Sequence, residues 1–247
     1  GAVKSKTGEL LQDSMDYCKN ALQSVSRSFA LTIPLVEDNI LAPIMVGYLE
    51  ARILDTFEDD IGVREISLEE RIHSMNLLME VLENPSSASG KEKAKILAES
   101  ADEMVANPSY RDLVKNMERV LTVHDSFDQK TKDCMVKWLK EMNFGMQKFL
   151  KQEVYSFDDL DEYCYYVAGT PSGFLTELIR KRSKDLSNED SDILKVNERD
   201  FGLFLQKVNI IRDFREDILD NEKIFWPGFL FEKYQVKPEE LLNKTNE

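Results

Sequence analysis

Apolar residues return at intervals of three and four along almost the whole chain, and no convincing run of two-residue alternation interrupts them. A buried stripe on a helix imposes that period and a half-buried strand does not. The sequence therefore predicts an all-α protein. Local start signals agree. Ser67 stands three residues before Glu70 at the head of an apolar run, a capping box. Asn107 precedes Pro108, a cap followed by proline at the first helical position. Ser156 precedes Asp158 and Asp159, a cap with acids in the first turn. The predicted helices are 9–25, 39–60, 67–83, 91–106, 108–123, 128–153, 157–180, 198–219 and 228–234. The connectors 84–90 and 185–192 are polar and too short to separate domains, so 1–247 reads as one large helical domain.

Two of these helices are apolar on nearly every face. In 39–60 the run includes Ile40, Leu41, Ile44, Met45, Val46, Tyr48, Leu49, Ile53 and Leu54, and in 198–219 it includes Phe201, Leu203, Phe204, Leu205, Val208, Ile210 and Ile211. Such helices are expected at the centre of a bundle, around a dense core or a cavity. Hydrophobic residues make up 42% of the chain, enough to fill that core.

Both central helices end in acid, and the pattern repeats. Arg52 is followed by Asp55, Glu58, Asp59 and Asp60; Arg212 is followed by Asp213, Glu216, Asp217 and Asp220. Carboxylates at i, i+3 and i+4 share a helical face and repel, and at a helix C-terminus they also oppose the macrodipole. One such run reads as a solvated helix end. Two matched runs on the two most apolar helices read as a site for a hard cation, because Mg²⁺ takes oxygen ligands and joins one or two carboxylates to substrate phosphate. If the two ends face each other across a cavity, a Mg²⁺-bridged diphosphate sits between them, with Arg52 and Arg212 adding fixed positive charge.

The composition excludes other classes. Acids outnumber bases 46 to 32, a net charge of -14, which repels nucleic acid but leaves room for a phosphorylated ligand carried with a divalent ion. Cys18, Cys134 and Cys164 are too few and too scattered for a disulfide framework or a zinc site, and they suit a reducing compartment. No stretch of about 18 apolar residues occurs, so no membrane-spanning helix is expected. Gly1 to Thr7 holds no signal-type apolar segment, and the leading Gly-Ala reads as a cloning remnant. His73 after Glu70 is half of a di-iron signature, but His124 has Leu121 where the second Glu would stand. His73 is expected at a helix surface and His124 in a polar connector. No Gly-rich phosphate loop is present.

The chain resembles the squalene/phytoene synthase family of head-to-head prenyltransferases. The matching segments are Ser26-Arg27-Ser28-Phe29-Ala30, the stretch Tyr48 to Asp60, Tyr163 to Gly169, Phe204 to Asp217, and Phe225-Trp226-Pro227. The blocks lie in the family's order over roughly residues 17–230, and the squalene synthases are the nearest fit. The resemblance implies a helical bundle of the isoprenoid synthase type with a central apolar cavity. It implies a reaction in which two farnesyl diphosphates condense through presqualene diphosphate, which is reduced to squalene by NADPH. By motif, Asp55, Glu58 and Asp59 form one metal cluster and Asp213 and Asp217 the other, together holding about two or three Mg²⁺ ions. Tyr163 matches the tyrosine tied to proton removal or cation stabilisation. Arg27, Arg52 and Arg212 match arginines that meet diphosphate or the NADPH phosphate. A phytoene or dehydrosqualene synthase that uses no NADPH, or a non-catalytic acidic scaffold, remains an alternative.

The carbocation chemistry also asks for inert walls and aromatic faces, with Phe29, Tyr48 and Phe57 as candidates. Gly169-Thr-Pro-Ser-Gly173 reads either as a helix kink that makes room for a prenyl chain or as a loop between two helices. The chain stops 20 residues past Pro227, where relatives continue through further helices and eukaryotic ones carry a membrane anchor. It is therefore expected to be a truncated or short member, cytoplasmic and in loose contact with a membrane surface.

Overall fold

Ser67 accepts a hydrogen bond from the Glu70 backbone N–H and Glu70 answers at the Ser67 N–H, so the predicted capping box opens a helix at Leu68. Asn107 and Ser156 cap in the same way. The computed structural model describes residues 2–26, 28–59, 62–219 and 224–242, with side chains from Thr7 onward other than that of Asp59. Among the described residues the regular structure is helical: α1 (Ala2–Val25), α2 (Phe29–Thr32), α3 (Asp38–Asp59), α4 (Leu68–Glu83), α5 (Ala88–Met104), α6 (Pro108–Lys115), α7 (Met117–Asp125), α8 (Gln129–Phe149), α9 (Phe157–Cys164), α10 (Thr170–Arg182), α11 (Asn188–Leu219) and α12 (Gly228–Tyr234). The chain divides into two compact units, Gly1–Lys140 with Glu177–Ser187, and Glu141–Thr176 with Asn188–Glu247.

In the first unit α3 is the central helix the sequence predicts. It packs against α1, α4, α6 and α7, and Val46, Leu49 and Leu54 are fully buried. Pro43 lies inside α3 and cannot donate to the Asn39 carbonyl one turn back. Arg182 fills the gap by donating to that carbonyl at 2.9 Å, and the Asn39 amide donates to the Arg182 carbonyl at 2.7 Å. Arg182 also holds Asp128 at 2.6 Å.

The second unit has its own core of Val154, Tyr163, Cys164, Leu203 and Ile210, with Phe149, Phe225 and Trp226 packed on it. Here the chain passes from α9 to α10 through a π-helical turn, Tyr165–Gly169, so the Gly-Thr-Pro segment is neither a loop nor a simple kink. The Thr170 N–H reaches back to the Tyr165 carbonyl, and the Thr170 hydroxyl donates to the Tyr166 carbonyl at 2.6 Å. Pro171 explains the turn, because it has no N–H for the Val167 carbonyl and its ring crowds that oxygen. Gly202 of α11 meets this turn so closely that a Cβ there would lie 2.6 Å from the Ala168 carbonyl oxygen.

Two expectations need correction. Helix α11 is not buried all round: it buries Gly202, Leu203 and Ile210, while Phe201, Phe204, Val208 and Ile211 are 54%, 62%, 45% and 66% exposed. His124 is not in a connector but fully buried near the end of α7. It pairs with Glu50 of α3 at 2.6 Å. His73 is exposed as expected, and Cys18, Cys134 and Cys164 are buried and free. No described helix is long and apolar enough to cross a membrane.

Candidate active site

The acid-bearing ends of α3 and α11 each pair an arginine with an aspartate, three residues apart and partly buried on α3, adjacent and more exposed on α11. On α3, Arg52 pairs with Asp55 three residues on, with side chains 26% and 27% exposed. Tyr48 lies one turn upstream and accepts a hydrogen bond from Arg52 at 3.1 Å. Burial alone would depress the Arg52 pKa, but Asp55 and Tyr48 outweigh it and raise it, so the guanidinium stays charged. Glu58 is 4% exposed, and its backbone carbonyl, at the frayed end of the helix, accepts from Arg71 at 3.0 Å. Asp59 closes α3, and its side chain lies outside the described residues, as do Arg27, Asp60 and Asp220.

On α11, Arg212 grips its neighbour Asp213 with two hydrogen bonds, 2.6 Å from Nε and 2.5 Å from an amino group. That fork-to-carboxylate contact raises the Arg212 pKa. Asp213 and Asp217 are both half-buried. Phe201 and Leu205 are exposed upstream on the same helix, but each i+4 step drifts by about 40°, so they stand on a different face from Asp213 and Asp217.

Tyr163 is the last but one residue of α9 and is 5% exposed. Its ring stacks on Phe225 at 4.8 Å and meets Phe149 edge-on at 5.4 Å. Tyr165 and Tyr166 take structural places: Tyr165 donates to Glu141 at 2.5 Å, and Tyr166 packs on Phe144 and against Gly145, where a Cβ would have no room. Of the aromatic candidates, Phe29 and Tyr48 touch at 5.1 Å, whereas Phe57 is 2% exposed and fills the core.

Among the described residues no group of three or more His, Cys, Asp or Glu side chains converges to hold a metal by itself. The oxygen-only donors of Asp55 and Glu58, and of Asp213 and Asp217, fit Mg²⁺, which keeps its waters and completes its shell with substrate phosphate. One member of the site has no signal in the sequence. Tyr110 of α6 lays its ring 5.5 Å from the Arg52 guanidinium, on which Tyr48 also sits at 5.7 Å. A tertiary contact between separate helices leaves no spacing to read.

The model of the family described as Squalene/phytoene synthase matches residues 22–247. Squalene synthase 1 of Arabidopsis thaliana is 31% identical over 232 residues, covering 93% of this chain and 52% of the relative. Squalene synthase of Solanum lycopersicum is 32% identical over 239 residues, covering 93% and 51%. The solved complex of TcSQS with the ligand BPH1237 superimposes with a TM-score of 0.79 at 30% identity, over 94% of this chain and 63% of that one. The chain spans about half the length of the curated relatives it matches.

Proposed function

The chain belongs to the squalene/phytoene synthase family, and on that premise we propose that it carries out the Mg²⁺-dependent head-to-head condensation of two farnesyl diphosphates to presqualene diphosphate and then, with NADPH, to squalene. The observation that carries the reading is the repeated arginine-plus-acid helix end, once on α3 and once on α11.

Asp55, Glu58 and Asp59 hold one share of the Mg²⁺, and Asp213 and Asp217 hold the other. Mg²⁺ held by these carboxylates would supply positive charge against the departing diphosphate and make it a better leaving group. Arg27, Arg52 and Arg212 contact phosphate oxygens of diphosphate or of NADPH. Tyr163, its ring stacked on Phe225 and edge-on to Phe149, serves either to stabilise a developing carbocation with its π-electrons or to remove the proton that closes the cyclopropane. NADPH supplies the hydride that ends the second half-reaction. Residues 1–247 are read as one isoprenoid synthase-like domain, in the cytoplasm and in loose contact with a membrane surface that receives the product.

The test is an incubation of the folded full chain with farnesyl diphosphate and Mg²⁺, with and without NADPH, followed by product identification. Squalene with NADPH and presqualene diphosphate without it are the expected products. Unreacted farnesyl diphosphate in both arms would overturn the proposal. Phytoene-type or dehydrosqualene products formed regardless of NADPH would move the chain to the other branch of its family.

A further inference from the structure

The Arg52 guanidinium has two independent sets of partners. On one side is the Asp55 carboxylate. On the other is an aromatic clamp: Tyr48 and Tyr110 lie 5.7 and 5.5 Å from the guanidinium carbon, and the Tyr48 hydroxyl accepts from it. Its Nε is buried and has no hydrogen-bond partner, so Asp55 and Tyr48 provide the hydrogen bonds the structure gives this head group. Removing the partner of a largely buried charge normally strands it at high cost. Here the two ring faces keep the cation solvated by π-electrons when the carboxylate leaves, and a planar guanidinium suits that contact as an ammonium does not.

We propose that Arg52 is a built-in competitor for the divalent cation at Asp55, that the cation is admitted together with diphosphate, and that Tyr110 is the positioning residue that holds Arg52 through the exchange. The inference rests on reading Asp55 as a metal ligand. In the metal-free protein the guanidinium neutralises Asp55. A bare divalent ion must displace it and then sit beside a fixed positive charge a few ångströms away, which weakens its binding. Diphosphate reverses the balance, because its oxygens give Arg52 a new anion while bridging to the metal. Metal and diphosphate thus bind as a pair, and the site does not hold a metal ion idle.

The experiment measures Mn²⁺ binding, as a stand-in for Mg²⁺, by the paramagnetic signal of the free ion, with and without inorganic pyrophosphate. Circular dichroism checks that each variant is folded. Arg52→Gln is expected to bind Mn²⁺ alone about tenfold more tightly than the parent and to lose most of the tightening that pyrophosphate gives. Tyr110→Leu should move the same way by a smaller factor, while Tyr110→Phe, which keeps the ring, should match the parent. Asp55→Asn separates the two ideas. If it binds Mn²⁺ like the parent, the metal assignment fails and the competition with it. If it loses binding while Arg52→Gln gains none, the assignment stands and the competition is overturned.

Discussion

Asp55 and Asp213 each carry an arginine as their nearest cation, on the next residue or one turn away. The Arg52–Asp55 proximity is legible in the sequence, because an i,i+3 relation follows from the helix alone, whereas adjacent residues such as Arg212 and Asp213 point about 100° apart and their contact is not. Replacing either carboxylate by Ala is expected to lower turnover by a hundredfold or more, on the order of the loss when one group that neutralises transition-state charge is removed. Helical content should stay near that of the parent. Steady-state rates beside circular dichroism check this, and a near-parent rate would exclude the residue from the metal site. The Glu50–His124 pair belongs to the same scale but escapes the sequence, since it joins α3 to α7 through the core. Glu50 Oε2 and His124 Nε2 are buried without partners. Burial would lower the His124 pKa, yet the adjacent Glu50 carboxylate outweighs it and raises it, with smaller opposing contributions from Lys132 and Asp125. A raised folded pKa means the pair's contribution is complete below the unfolded value of about 6.5 and is lost as pH climbs through the folded one. Denaturant titrations at pH 6 and pH 9 should show the parent losing stability relative to a Glu50→Leu/His124→Leu double variant. Glu50→Ala alone should cost about 3–5 kcal/mol, because it strands the imidazole.

Among the elements, those with local start signals were legible: α4, α6 and α9 begin where Ser67, Asn107 and Ser156 announce them. Helix α11 begins ten residues before the predicted start of 198, since Asn188 to Asn197 holds too few apolar residues to show a period. The predicted helix 108–123 is broken at Asn116, which ends α6 and leads into α7. That break lies between two amphipathic segments whose periods run on without interruption. The proline inside α3 shows the limit of local rules. Its position is plain in the sequence, but the Arg182 that restores the missing hydrogen bond comes from α10. Arg182→Ala should therefore cost about 0.5–1.5 kcal/mol, the net worth of an ordinary hydrogen bond, since Asn39 is exposed and water can take the vacated place, read as a fall in melting temperature. Gly202→Val should be worse than a propensity difference suggests. Its Cβ would meet the Ala168 oxygen and the Gly169 Cα, each at 2.6 Å, and backbone cannot step aside as a side chain can. Thermal unfolding of Gly202→Ala and Gly202→Val beside the parent measures the steepness of that clash.

At the scale of the whole molecule, the all-α class follows from periodicity alone, and the structure bears it out. The exposed apolar face of α11 does not follow from it, because a helix apolar all round states how much surface wants cover and not what supplies it. The net charge of -14 sets a further expectation. Acids repel one another most in dilute buffer, so raising NaCl from about 0.01 to 0.15 M should raise the melting temperature as the Debye length shortens from about 30 to 8 Å. Mg²⁺ with pyrophosphate should add a further rise at matched ionic strength, about 2.7 kcal/mol at a hundred times the dissociation constant. Equal melting curves in Mg²⁺-pyrophosphate and in NaCl would mean that the acids are merely screened.

The π-helical turn at Tyr165–Gly169 amounts to one surplus residue, and each residue advances a helix by about 100°. Tyr163 upstream and Thr170 and Thr176 downstream are all buried, so their angular phase is correct only while that surplus is kept. Excising a single residue from the turn would rewind everything after it by about a quarter of a revolution, swinging both threonines toward water. Deleting one residue from the connector 84–87 should cost less, because it loosens the turn that Asn84 and Ser87 close ahead of α5 but removes no surplus residue from inside a helix. A deletion is therefore expected to cost more at the π-helical turn than at the connector.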